Sequence, residues 1–151
     1  MTDDPISLLF VTLAIKAIAY FFVIRLGILR LVGPVGRVNG RAIALVAARL
    51  LLGLLFAVPL WLLSSGLSAG LGEARSADYL GYFVVYAPLR WIAWSVVALW
   101  IIPKPHRFIG FLLGFSSRDR VWRLSAVGVS FACDAPLLVG YGGPVVGKFF
   151  C

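Results

Sequence analysis

Charge is scarce in this 151-residue chain: 13% of its residues are Asp, Glu, Lys or Arg, and only six of those are acids. Soluble domains of ordinary composition carry about 25% charged residues, so a water-soluble globule and a disordered tail are both excluded. Cysteine is nearly absent. Cys133 lies in an apolar stretch and Cys151 is the last residue, which rules out a CxxC pair, a disulfide framework and a C-a-a-X lipidation signal. There is one histidine, His106 in PKPHRF, and it has no second histidine or carboxylate close by with which to hold a metal. Ser64 and Ser65 have no base near them in sequence, and P-loop and dinucleotide fingerprints are missing. The expectation is a protein that is not an enzyme and binds no cofactor and no metal.

What is abundant is apolar surface and positive charge. Hydrophobic residues make up 62% of the chain, the mean hydropathy is +1.00, and 14 basic residues give a net charge of +8. A bilayer-crossing helix needs about 20 apolar residues to span about 30 Å of hydrocarbon. Segments 6–29, 42–63 and 79–102 meet that length, and 124–141 is a shorter fourth candidate that contains Asp134 and Pro136. The nine residues from Arg107 to Phe115 are too few to cross and have charges on both sides, which predicts a short interfacial helix on the cytoplasmic face. The expected fold class is therefore all-α: a polytopic membrane protein of one domain, residues 1–151, with three to four transmembrane helices. The N-terminus, MTDDPIS, is acidic where a secretory leader is basic, so the first apolar segment is expected to remain as an anchor.

The connections alternate in charge. Arg25, Arg30, Arg37, Arg41 and Arg49 surround the first, and Lys104, Arg107, Arg118, Arg120 and Arg123 surround the third. The N-terminus, the second connection and the tail together hold two basic residues, Arg75 and Lys148. The positive-inside rule then puts the basic connections in the cytoplasm and the N-terminus outside, with the C-terminus outside as well if the fourth segment crosses. The compact chain suggests a bacterial source and hence an inner membrane as the expected location. Arg37, Arg41, Arg49, Lys104, Arg107, Arg118, Arg120 and Arg123 are expected to meet anionic lipid headgroups, Arg49 by snorkelling. Nucleic acid is not an expected partner, because these charges flank spans and few aromatics accompany them in the loops.

Tyr79, Tyr82 and Tyr86 fall at helical spacing at the outer start of the third span and fit an aromatic belt. Ala44 with Ala48, Gly110 with Gly114, and Gly128 with Ala132 are small pairs suited to helix contacts. Pro59 and Pro88 each remove a backbone donor inside a span. The string LLVGYGG (137–143) shares VGYG with potassium-channel filters, but too few residues follow it for an inner helix, so it reads as a tail.

Lys16, Arg90 and Asp134 hold the most chemistry. Each lies about ten residues into its proposed span, roughly 15 Å deep, where one charged residue costs about 2.5–3.5 kcal/mol on insertion scales. Asp134 is expected to contact Lys16 or Arg90. In a structural role the pair fixes helix register. In a transport role the surplus positive charge lines an anion path, or Asp134 exchanges protons. The leading functional expectation is a non-catalytic accessory subunit of a larger membrane complex, partnered by other membrane subunits or by copies of itself. The alternative is a small homo-oligomeric channel or carrier for anions or protons.

Overall fold

The computed structural model describes residues 5–34, 36–71, 75–102 and 108–135, and among them every regular element is a helix. In chain order these are α1 (Pro5–Leu31), α2 (Val38–Leu71), α3 (Arg75–Ile101), α4 (Phe108–Leu113) and α5 (Ser117–Ala132). Three of them contain stretches long and apolar enough to cross a membrane: Phe10–Leu31, Val38–Phe56 and Tyr82–Ile101. The chain is an all-helical membrane protein.

The buried rows of α1 and α3 carry polar side chains at one end and apolar ones at the other, while the outward faces are apolar. On α1, Thr12, Lys16, Tyr20, Ile24 and Ile28 recur every fourth residue and are all buried, while Phe10, Val11, Ile15, Ile18 and Phe22 face outward. Lipid contacts suit the outer residues, and the polar groups find their partners between helices. On α3 the matching row is Tyr82, Tyr86, Arg90, Trp94 and Ala98, again every fourth residue and buried. Pro59 and Pro88 both lie inside continuous helices, so α3 runs unbroken past Pro88 and keeps Arg90 deep in the bundle.

Helices α2 and α5 each pack against both α1 and α3, which touch one another only slightly. The shared core joins Ile24 and Ile28 of α1, Leu45 and Val46 of α2, Val97 and Ile101 of α3, and Trp122 and Ala126 of α5. Trp94 holds its centre, edge-on to Tyr20 at 5.2 Å and to Trp122 at 5.6 Å between centroids, with its indole N–H donating to the Ser130 hydroxyl at 3.0 Å. Trp122 donates to the Val23 carbonyl at 2.9 Å and packs closely on α1 because Gly27 has no side chain there; a Cβ would come within 2.5 Å of the ring.

The last two helices depart from expectation. Helix α5 begins at Ser117, seven residues before the start of the expected fourth span, and ends at Ala132. Its 16 residues extend about 24 Å, short of a full crossing. Residues 136–141 of the 124–141 segment, with the VGYG string, lie outside the described residues. The early start has a local cause. Ser116 is the N-cap and accepts from the Asp119 amide at 3.2 Å, while the Asp119 carboxylate accepts from the Phe115 amide at 2.8 Å, a reciprocal capping arrangement.

Helix α4 occupies most of the predicted interfacial segment and buries none of its residues, with Phe108, Ile109 and Leu113 well exposed. It leans back along α3 instead of lying beyond its end. The Trp91 indole donates to the Leu112 carbonyl at 2.5 Å, and Trp91 is roughly 15 Å along the helix from Ile101. Gly114 (φ +92°) closes the α4 end with its amide on the Gly110 carbonyl at 2.9 Å, a left-handed turn that favours glycine.

Candidate functional site

The structure brings Lys16, Arg90 and Asp134 together, although they come from α1, α3 and the turn just after α5. Lys16 Nζ is 2.5 Å from Asp134 Oδ1, and Arg90 Nη2 bonds the other carboxylate oxygen, Oδ2. Tyr82 supplies a third donor, its hydroxyl 2.8 Å from Oδ2, and itself accepts from Arg90 at 2.9 Å. The side chains of the three charged residues are 0–3% exposed. The Arg90 guanidinium also lies over the Phe131 ring, 3.9 Å from its centroid, with Tyr86 stacked on Tyr82 beside it. Charge-assisted bonds of this kind are roughly twice as strong as neutral ones, and the carboxylate offsets much of the cost of burying each cation.

Tyr82 and Tyr86 therefore belong to this network and not to an aromatic belt, since both are fully buried. The sequence held a signal for it: 82, 86, 90 and 94 form one row on α3, so the two tyrosines had to share the burial of Arg90.

A second network stands nearer the end where α3 finishes. Arg123 pairs with Asp119 one turn earlier, Nη2 to Oδ2 at 2.7 Å and Nε to Oδ1 at 3.0 Å. Its Nη1 donates to the Ser95 hydroxyl at 2.6 Å and to the Phe111 carbonyl at 2.7 Å. The last carbonyls of a helix lack partners within it, and here Arg123 serves those of α4. Arg123, expected at the headgroups, is 0% exposed. The reason is that Asp119 neutralises it while Ser95 and the α4 carbonyls take its remaining donors.

Arg49 is corrected in the same way. It does not snorkel but is 2% exposed, with its guanidinium 5.5 Å from the Tyr20 ring centroid and 5.6 Å from that of Trp94. Aromatic faces attract a desolvated guanidinium by about 2 kcal/mol. Of the other residues expected at headgroups, Arg37, Arg41, Arg118 and Arg120 are exposed. Arg41 donates to the Trp100 carbonyl at 2.5 Å, which places a cation on the C-terminal end of α3. Lys104 and Arg107 lie outside the described residues, as does His106.

Small residues at one of the expected pairs have another use. A Cβ at Gly110 would meet Phe115, and one at Gly114 would collide with the Arg120 stem, so both serve the α4–α5 turn. Gly128 and Ala132 are exposed on α5, and a Cβ at Gly128 would meet nothing within 4 Å. Among the described residues no group of three His, Cys, Asp or Glu side chains is placed to share a metal ion. No family model, curated protein or solved structure matches this chain.

Proposed function

We propose that this chain is a non-catalytic integral membrane subunit that associates laterally with other membrane proteins. The observation that carries the reading is the closed network at Asp134. Its carboxylate is engaged by Lys16, Arg90 and Tyr82 within one chain, so the charges join α1 to α3 and to the end of α5 and set their register. A carboxylate gripped by two cations and a phenol is a latch, and a bundle latched internally has its apolar exterior left for neighbours. Leu51, Leu54, Leu55 and Phe56 of α2 offer such a face. The alternating basic connections support an orientation with the N-terminus outside and the exposed arginines at anionic headgroups.

The test is gentle solubilisation from native membranes, followed by sizing and mass-spectrometric identification of co-migrating chains. Stoichiometric foreign subunits are expected. Recovery of a stable, isolated monomer would defeat the proposal.

A second reading has its own support. Among the described residues the interior buries four cations, Lys16, Arg49, Arg90 and Arg123, against two carboxylates, Asp119 and Asp134. That surplus favours a homo-oligomeric channel or carrier for anions. It requires flux in liposomes that changes in Asp134→Asn and Arg90→Gln, and protein that passes no simple ion would remove it.

A further inference from the structure

Arg30 stands in the last turn of α1, one residue before its end at Leu31, and Arg118 stands in the first turn of α5. A cleft of about 570 Å³ is lined by these two arginines together with Ser117 and Val121. The helices run in opposite directions here. Trp122 bonds the Val23 carbonyl and packs at Gly27, so one turn back from Trp122 to Arg118 and one turn on from Gly27 to Arg30 lead to the same mouth. Arg30, Ser117 and Arg118 are all exposed.

Neither arginine has an acid to close on. The chain carries no Asp or Glu between residues 5 and 72, and its one acid between residues 79 and 133 is Asp119. That carboxylate is taken up by Arg123 and the Phe115 amide. The buried cations Lys16, Arg90 and Arg123 each bond a carboxylate within the bundle, whereas among the described residues no carbonyl or side chain bonds the Arg30 or Arg118 guanidinium. Two like charges on one cleft repel, and an anion seated between them reverses the sign of that interaction.

Depth and lining narrow the anion. Arg30 is the last residue but one of the apolar stretch Phe10–Leu31, so the cleft lies where hydrocarbon gives way to headgroups, at the level of the lipid phosphate. One turn deeper, Leu26 and Val121 are exposed and apolar. A free phosphate gains nothing from that floor, whereas a phospholipid lays the start of an acyl chain on it. The guanidinium fork matches phosphate oxygens with two parallel bonds, and the volume falls within the roughly 300–1,000 Å³ of small-molecule sites.

We infer that the α1–α5 cleft holds one anionic phospholipid by its phosphodiester, with Arg30 and Arg118 on the phosphate oxygens, the Ser117 hydroxyl as a further donor and the chain leaving over Val121 and Leu26. The inference rests on the reading that exposed arginines meet anionic headgroups and sharpens it to one stoichiometric site. It is independent of whether the chain acts as a subunit or as a carrier.

Phosphatidylglycerol is the probe, titrated into the full chain in dodecyl maltoside micelles, with phosphatidylcholine as the zwitterionic control and native mass spectrometry counting retained lipids. One phosphatidylglycerol per chain is expected, held about tenfold or more tightly than phosphatidylcholine. Arg30→Gln and Arg118→Gln should each weaken it by about tenfold, the factor that loss of a charge-assisted bond produces. Val121→Trp, which narrows the cleft and keeps both charges, should weaken it by a similar factor and covers the case in which an arginine variant fails to fold. Arg37→Gln removes the same charge from another part of the exposed basic surface and should change affinity less than twofold. Equal losses in Arg37→Gln and Arg118→Gln, or unchanged binding in Val121→Trp, would overturn the cleft and leave diffuse headgroup attraction standing. Equal binding of the two lipids would overturn both. Displacement of phosphatidylglycerol by millimolar inorganic phosphate would overturn the lipid assignment, by giving the cleft to a free anion.

Discussion

Replacing Asp134 by Asn keeps the side chain's shape and removes the one negative charge between Lys16 and Arg90. The two cations bind different oxygens of a single carboxylate, so they are on the order of 5 Å apart, and at an effective dielectric of about 20 their repulsion is about 3 kcal/mol. That agrees with the about 3–5 kcal/mol lost when a buried pair is broken from one side. Lys16→Met should behave differently. It leaves Asp134 bound to Arg90 and Tyr82 and makes the cluster formally neutral, so the lost bond is partly offset and the cost should stay at or below about 1.5 kcal/mol. Arg90→Met falls between them, because it also gives up the Phe131 contact. The triple change Lys16→Met, Arg90→Met, Asp134→Leu removes every charge at once and should recover most of the Asp134→Asn loss, as fully apolar replacements of buried ion clusters do. Unfolding in mixed micelles of dodecyl maltoside and increasing SDS, followed by the fluorescence of the five tryptophans, gives each difference. The reasoning is refuted if Lys16→Met costs as much as Asp134→Asn, or if the triple variant is the least stable of the set.

Three other outcomes are expected. Gly27→Leu should push Trp122 off α1 and cost about 1–3 kcal/mol by overpacking, while Gly128→Ala, which meets nothing, should be neutral or stabilise by about 0.5–1 kcal/mol in the same assay. Arg123→Met should release the α4 carbonyls and Ser95, so hydrogen exchange of amides in 108–116 rises at least tenfold while the amides of α1 keep their protection; uniform protection would contradict the capping role. Arg118→Gln with Arg120→Gln should weaken binding to anionic relative to neutral liposomes, by about 1 kcal/mol per charge; unchanged partition would separate those arginines from headgroups.

The spans were legible because a run of apolar residues long enough to cross a bilayer has few other uses. Expected bounds of 6–29 and 79–102 compare with Pro5–Leu31 and Arg75–Ile101. Helix α2 runs well past 63, to Leu71, because Gly and Ser after the apolar run do not by themselves stop a helix. A contact of Asp134 with Lys16 or Arg90 follows from the cost of leaving any of them in hydrocarbon, and the structure closes it on both. Charges with private partners are less legible. The charges of Arg118 to Arg123 suggest an exposed connection, yet Ser116 three residues before Asp119, and Asp119 four before Arg123, together spell a helix start with an ion pair. Arg49 had no such local sign, since Tyr20 and Trp94 approach it only through the tertiary fold.

The latch at Asp134 also has a schedule. Lys16 is made early and Asp134 about 120 residues later, so at about 5–20 residues per second the lysine waits roughly 6–24 s for its carboxylate. Arg90, 44 residues ahead of Asp134, waits for less time. During that interval two cations in the lipid or the insertion machinery have nothing to close on, each at an insertion cost of about 2.5–3.5 kcal/mol. A chain that stops before Asp134 never leaves this state, because both cations lack the carboxylate that closes on them. The carboxylate that completes the bundle thus certifies that synthesis has reached the end of α5.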